Sequence, residues 1–252
     1  MATIGQRLLL VDNKGRRYLV TLKEGGEFHS HNGFVSHEAL AAASIGSKVS
    51  TTKGGEYRVL EPTLEDFVLE MPRGAQVIYP KDLATMCMIG DVGPGMHVLE
   101  TGVGSGALSM ALLRLGAVVQ GVEIRQDFAS RAQSNVRSFL GDDACDRYTV
   151  TIGDSYEEVP HQRYDRVMLD LPEPWRVVPV IAPLIRAGGI VVAYTPSITQ
   201  AVQVRQALGE HWTESRTIEV LHRGWHIEGL AVRPDHRMVA HTAFLTAARF
   251  VG

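Results

Sequence analysis

Three glycines fall within five residues of the stretch "LETGVGSGALSM", where an apolar run hands over to a helical pattern. Gly102, Gly104 and Gly106 let the backbone turn tightly and come close to a ligand. Acids recur in the same kind of place. Glu100 lies at the end of "HVLE", Glu123 closes "VVQGVE", Asp154 closes "TVTIGD" and Asp170 closes "RVMLD". Each run reads as a buried strand, so these carboxylates are expected along one edge of a sheet. Ligands of open α/β sheets bind at that edge. An acid about twenty residues beyond a glycine loop can accept both hydroxyls of a ribose, which is the chemistry open to Glu123. Asp154 is placed to accept from an adenine amino group.

The loop alone fits two cofactor classes. Gly102, Gly104 and Ala107 satisfy the dinucleotide pattern, while Glu100, Gly102, Gly104 and Gly106 satisfy that of S-adenosylmethionine enzymes. The carboxylates discriminate. A pyrophosphate is repelled by an acidic rim, whereas the sulfonium and ammonium of S-adenosyl-L-methionine are attracted to it. The residues therefore favour a methyltransferase over a nicotinamide oxidoreductase. A tight turn without any ligand is the plainest alternative.

These side chains need a scaffold. Residues 1–75 read as a small β-rich domain: "QRLLLVD" and "RRYLVTL" flank "NKG", and "KVSTT" and "EYRVLEP" flank "KGG". "TLEDFVLEM" predicts a short helix capped by Thr63 with Asp66 three positions on. Residues 76–252 alternate strands and helices, which predicts a doubly wound, mostly parallel sheet. "KDLATMCMIGDVG", "SGALSMALLRLG", "QDFASRAQSNVRSFLG", "VVPVIAPLIRAGG" and "SITQAVQVRQALGEH" are the expected helices, the last capped by Ser197 or Thr199. "IVVAYT" is an expected strand. "TESRTIEVLH" and "HTAFLTAARFV" are strands joined by a long loop, so one of them is expected to be antiparallel.

Composition sets bounds. A chain of 252 residues, 45% hydrophobic, is long enough for one large domain and a small one. No apolar stretch is long enough to span a membrane, and no basic region precedes the short N-terminal apolar run, so no signal peptide is expected. Two cysteines, Cys87 and Cys145, argue for a reducing compartment without disulfides. A net charge of −3 does not advertise a nucleic-acid binder, although charge can be locally segregated. His29, His31 and His37 cluster, but without a partner acid or thiol at suitable spacing no metal site is read there. Arg73, Lys81, Arg233 and Arg237 are candidates for a phosphate-contacting surface.

Asp170 is followed at once by "LPEPW". Proline fixes φ, so Pro172 and Pro174 stiffen the turn behind the acid, as suits a group held in position. Trp175 either walls a pocket there or packs at the start of the next helix. At this point "GGEFHSHNGFVSHEAL", "YPKDLATM", "LETGVGSG", "LDLPEPW", "AYTPSITQ" and "HTAFL" together make the chain resemble the tRNA (adenine-58-N1)-methyltransferases of bacteria and archaea, over essentially its whole length. "YPKD" and the Asp-x-x-x-Pro-Trp element carry the specific part of that likeness.

The resemblance implies a seven-stranded class I, Rossmann-like methyltransferase sheet, a homotetramer, a cytoplasmic enzyme, and methylation of adenine N1 in the tRNA T-loop. It implies that the loop Gly102, Val103, Gly104, Ser105, Gly106 and Ala107, with Glu123, Phe128 and Asp154, holds S-adenosyl-L-methionine. Glu100 joins them through the acidic rim, and Asp170 meets both cofactor and substrate. Adenine N1 already carries a lone pair, so the reaction needs alignment and charge stabilisation more than a base. Asp170 suits both by accepting from the exocyclic amine. A base taken out of its stack wants an aromatic face, for which Tyr79 is the first candidate and Tyr194 the second. The alternatives are a class I methyltransferase of a protein carboxylate or small molecule, and an RNA-binding module without catalysis.

Overall fold

The structure, a computed structural model, describes residues 2–71 and 76–252. It divides into two compact units, Met1–Arg73 and Gly74–Gly252. The first holds β1 (Arg7–Asp12), β2 (Arg17–Thr21), β3 (Glu27–Ser30), β4 (Gly33–Ser36), α1 (His37–Ala42), β5 (Lys48–Ser50), β6 (Glu56–Leu60) and α2 (Leu64–Glu70). Four of these strands form an antiparallel sheet in the order β2-β1-β6-β5, so both hairpins expected from the turn residues are present. Leu8 and Leu10 alternate inward and meet Val20, Tyr57 and Val59. Thr63 and Asp66 close a reciprocal capping box on α2.

The histidine segment, which carried no predicted element, forms the β3–β4 hairpin and α1. Two of its histidines have partners nearby. Buried His37 accepts the Lys23 N–H at Nδ1, 2.8 Å away, and His29 pairs with Glu27 at 2.9 Å. Among the described residues no group of three or more His, Cys, Asp or Glu could hold a metal ion.

The second unit continues with α3 (Pro80–Ile89), β7 (His97–Thr101), α4 (Ala107–Arg114), β8 (Val118–Glu123), α5 (Gln126–Leu140), α6 (Asp142–Cys145), β9 (Tyr148–Ile152) and β10 (Tyr164–Leu169). A 3-10 turn (Pro174–Arg176), α7 (Val178–Ile181), β11 (Ile185–Thr195), α8 (Ile198–Leu208), β12 (Trp212–Glu219), β13 (Trp225–Glu228), β14 (Ala231–Pro234) and β15 (Phe244–Phe250) complete it. Seven strands pair in the order β12-β15-β11-β10-β7-β8-β9. β15 is antiparallel to both its neighbours, and the other pairings are parallel. The central strands are buried on both faces, as parallel sheets require. Val167, Leu169, Val191 and Ala193 face the cluster that includes α7 and α8, while Met168 and Val192 lie against Gly90 at the end of α3.

Two expectations need correction. The helix predicted over "VVPVIAPLIRAGG" is a single turn, and the strand starts at Ile185, well before "IVVAYT". Pro183 has no N–H to continue the helix. Buried Ile185 already pairs with Tyr164, and Gly188 (φ +77°) lets the strand bulge before resuming opposite Arg166. The stretch read as a long loop contains the β13–β14 hairpin. Among the described residues no helix is long and apolar enough to cross a membrane.

Candidate active site

The sheet order changes direction at β7. From β7 the chain steps outward through β8 to β9, then returns to the other side of β7 as β10. Such a switch leaves a crevice at the carboxyl ends of the two central strands. Gly102 follows β7 there and Asp170 follows β10. They touch: the Asp170 N–H donates to the Thr101 carbonyl at 3.0 Å, and a Cβ on Gly102 would stand 1.9 Å from the Asp170 carbonyl oxygen. A glycine at φ +79° is what lets the two strand ends meet. Gly104 is different, with φ +57° and, beyond its chain neighbours, nothing among the described residues within 4 Å of where a Cβ would lie. Its open side is the surface a ligand could approach.

The rest of the loop is packed down. Val103 is buried with its methyl against Gly121, and the Ser105 carbonyl accepts from Asn135 Nδ2 at 2.9 Å. Gly106 begins α4 beside Ala132 of α5, and Ala107 is buried behind it. Glu123 takes the Gly104 N–H on Oε2 at 2.9 Å and the Arg125 N–H on Oε1 at 3.0 Å. Each oxygen keeps a second lone pair, so the pair of ribose hydroxyls remains within its capacity. Phe128 is half-buried, its ring covered by the Arg125 guanidinium at 3.7 Å. Asp154 accepts the Tyr156 N–H at 2.9 Å two residues beyond β9.

All four acids stand at the carboxyl ends of adjacent strands β10, β7, β8 and β9, but they are not equivalent. Glu100 is 1% exposed and turned toward α4. Its Oε2 accepts from Ser109 Oγ at 2.6 Å, and that hydroxyl stands 2.9 Å from the Tyr148 phenol. Either hydroxyl can donate in the Ser109–Tyr148 bond. Burial pushes the Glu100 carboxyl up to about 8 against the Ser109 hydrogen bond, with the charges of Asp170 and Glu123 adding to the rise. Asp170 is lifted to about 7 by burial first and by Glu123 second. Among the described residues no donor reaches its carboxylate. Glu100 and Asp170, both near the charge of Glu123, therefore resist ionisation, and a cation placed beside them relieves that cost.

The folded protein holds the Glu100 proton up to about pH 8, whereas a glutamate ordinarily releases it near 4.5. Stability from this group is present below 4.5 and declines as pH rises to about 8. Glu100→Gln keeps the acceptor for Ser109 and removes the titration. Denaturant melts should show the variant gaining on the native protein by a few kcal/mol between pH 5 and 9. An equal pH slope in both proteins would contradict the burial of this charge.

Asp170 also lines a cavity of about 650 Å³ with Tyr79, Tyr194, Leu171, Pro172, Gln200 and Thr242. Tyr79 stands at the N-cap of α3, where Pro80 takes the first helical position. Burial raises the Tyr194 phenol well above its ordinary value, and Asp82, Asp170 and Tyr79 add to the shift, which places these groups together. Trp175 packs against the core on the α7–α8 side and is not part of the cavity wall.

The phosphate-contact reading of Lys81 fails. The residue is 7% exposed, and its ammonium donates to both Asp82 oxygens at 2.9 and 3.1 Å and to Thr242 Oγ1 at 2.5 Å. It ties α3 to the segment before β15. Arg233 and Arg237 are exposed, and Arg73 lies outside the described residues. Sequence reasoning passed over Asp82, Gln200 and Thr242. Asp82 sat in a quoted motif but at a helix start, where an acid is unremarkable. It also passed over Ile124, an apolar residue that is 65% exposed directly after Glu123.

Seven strands in this order, one of them antiparallel, with a glycine loop after the first central strand, make this a class I methyltransferase fold. Solved structures agree. A SAM-dependent O-methyltransferase from Thermotoga maritima aligns with a TM-score of 0.93 and 30% identity, over 99% of this chain and 94% of that one. The tRNA (m1A58) methyltransferase TrmI of Aquifex aeolicus aligns at 0.84 and 25% identity, over 100% of both. A family model described as the tRNA methyltransferase complex GCD14 subunit matches residues 55–232, and one described as TrmI-like N-terminal matches residues 2–49. A tRNA (adenine(58)-N(1))-methyltransferase TrmI of Thermus thermophilus is 41% identical over 96% of each chain. A Methanocaldococcus jannaschii TrmI named for adenines 57 and 58 is 30% identical over 96% of this chain and 94% of its own. The chain belongs to the GCD14/TrmI family of tRNA methyltransferases.

Proposed function

We propose that this protein methylates N1 of adenine 58 in the tRNA T-loop, with S-adenosyl-L-methionine as methyl donor. One observation carries the reading: Asp170 joins the backbone of the glycine loop to a cavity, large enough to admit a purine, that Tyr79 and Tyr194 also line. The donor set suits the cofactor. The open side of Gly104 gives room for close backbone approach, Glu123 retains lone pairs for a ribose, and the acidic cluster suits a sulfonium and an ammonium. Phe128 and Asp154 border the adenosine end, with Ser105, Gly106, Val103 and Ala107 shaping the loop. The cofactor supplies an activated methyl group on a sulfonium.

The protein supplies alignment. Tyr79 and Tyr194 offer faces for a base removed from its stack. Asp170, which no donor reaches among the described residues, accepts from the exocyclic amine and so turns N1 toward the crevice. As the ring becomes cationic, the same carboxylate stabilises it. We propose residues 76–252 as the catalytic domain and a homotetramer in the cytoplasm. The exposed apolar side chains Trp225, Ile227 and Val232, which register across β13–β14 on one face, are a surface that assembly would cover.

Incubation with unmodified tRNA and labelled cofactor, followed by nucleoside mass spectrometry, should yield 1-methyladenosine, lost when adenine 58 is replaced. The name of the Thermotoga relative favours a second reading, transfer to an oxygen, for which a carboxylate lifted to about 7 could serve as base. Methylated product on a hydroxyl or carboxylate, with no 1-methyladenosine, would replace the first reading with the second.

A further inference from the structure

The turn behind Asp170 is held from both sides. The Asp170 N–H is tied to Thr101 at its start, and the Glu173 N–H donates to the Tyr156 phenol at 3.0 Å further on. Between these points Pro172 has no N–H, so only its carbonyl can be held. That carbonyl accepts from Gln200 Nε2 at 2.8 Å. The other end of the same amide, Oε1, accepts the Ser197 N–H at 3.0 Å and completes the capping box of α8. The orientation is fixed by its partners: a backbone N–H can only donate and a carbonyl can only accept. Gln200 borders the same cavity as Asp170, Tyr79 and Tyr194.

We propose that Gln200 is a positioning residue for methyl transfer, latching the Asp170 turn to the start of α8 through the Pro172 carbonyl. This rests on the reading of Asp170 as the group that orients the base. A capping box alone would accept glutamate as readily as glutamine. The donor half of the amide serves no cap, and it is spent on the turn that carries Asp170. Release of the latch lets Leu171 and Pro172, themselves cavity residues, shift with the acid beside them. Small displacements of an aligning group cost large factors in rate, on the order of a hundredfold for one ångström. Two other anchors remain, so a loss of roughly 10- to 100-fold in single-turnover rate is expected.

The test separates cap from latch. Gln200→Glu keeps the cap acceptor and sets an oxygen against the Pro172 carbonyl. Ser197→Ala removes the cap hydroxyl and leaves the latch. Gln200→Glu should lose roughly 10- to 100-fold in single-turnover rate, while its Kd for tRNA and for cofactor changes by less than about twofold. Ser197→Ala should lose thermal stability and keep its rate. The loss in Gln200→Glu should persist at pH 9, and the uncharged Gln200→Met should share it. Recovery at pH 9 would mean the added charge had only raised the Asp170 pKa, and would overturn the proposal. So would a native rate in Gln200→Glu or Gln200→Met, or an equal loss in Ser197→Ala. In an Asp170→Ala background Gln200→Glu should cost nothing further. A full additional loss there overturns the latch and leaves the role of Asp170 standing. A native rate in Asp170→Ala alone instead removes the reading on which the latch depends.

Discussion

Asp170→Ala is expected to lower the single-turnover methylation rate by about 10²- to 10³-fold, the range typical for removing one preorganised group that stabilises transition-state charge. The affinity for tRNA should change little, because protein–nucleic-acid affinity comes mainly from cationic contacts to phosphates, which an acid such as Asp170 does not make. Cofactor affinity should fall modestly, since one charge of the acidic cluster is lost while Glu123 remains. Asp170→Asn refines the test. It preserves an acceptor for the exocyclic amine but not the negative charge, so it should sit between the native protein and alanine. The native pH profile carries the same information. With the carboxyl lifted to about 7, kcat/KM should rise as pH increases through that value and level off above it. The rise should be absent in Asp170→Asn. Radiometric single-turnover assays from pH 5.5 to 9 provide the measurement; native turnover in Asp170→Ala, or an unchanged pH profile in Asp170→Asn, would remove the assignment.

Why Asp170 could be found from sequence, while much of its support could not, has a physical basis. A carboxylate directly after an apolar strand is legible because the strand has a period and an end. The same signal marked Glu100, Glu123 and Asp154, and the structure sets all four beside one another on adjacent strands. What the period cannot say is which face a side chain takes when both faces are buried. Glu100 thus read as part of an open rim, yet it lies inside with Ser109 and Tyr148. Contacts made across the sheet are invisible for a further reason. Gly102 meets Asp170 only because β10 returns beside β7, and Gln200 meets Pro172 only because α8 starts above that same edge. Lys81 read as a surface cation because its partner Thr242 is 161 residues away. The β13–β14 hairpin had a usable signal, "WHIE" and "AVRP" around Gly229, but its exposed residues lacked the inward-facing alternation that marks a strand.

The paired substitutions Gly102→Ala and Gly104→Ala should separate the structural from the ligand-facing half of the loop. At Gly102 a methyl would stand 1.9 Å from the Asp170 carbonyl oxygen, a backbone atom that cannot swing away. The residue also has φ +79°, which alanine adopts only under strain. Overpacking and strain together give a destabilisation of about 3–5 kcal/mol. Because the clash falls on Asp170 itself, any folded fraction should be nearly inactive. At Gly104 the φ of +57° costs alanine about 1 kcal/mol, but among the described residues no atom beyond the adjoining residues of the chain lies within 4 Å of the added methyl. Gly104→Ala should therefore fold with a small loss in melting temperature. Its methyl projects into the space assigned to the cofactor, so the Kd for S-adenosyl-L-methionine should rise at least about tenfold, as a steric loss of about 1.4 kcal/mol or more requires. Calorimetry on both variants beside urea melts gives the two readouts. A Gly104→Ala protein that binds the cofactor as the native one does would show that the open side of the loop faces something else. A Gly102→Ala protein of native stability would mean that the junction between β7 and β10 is looser than its 1.9 Å approach demands.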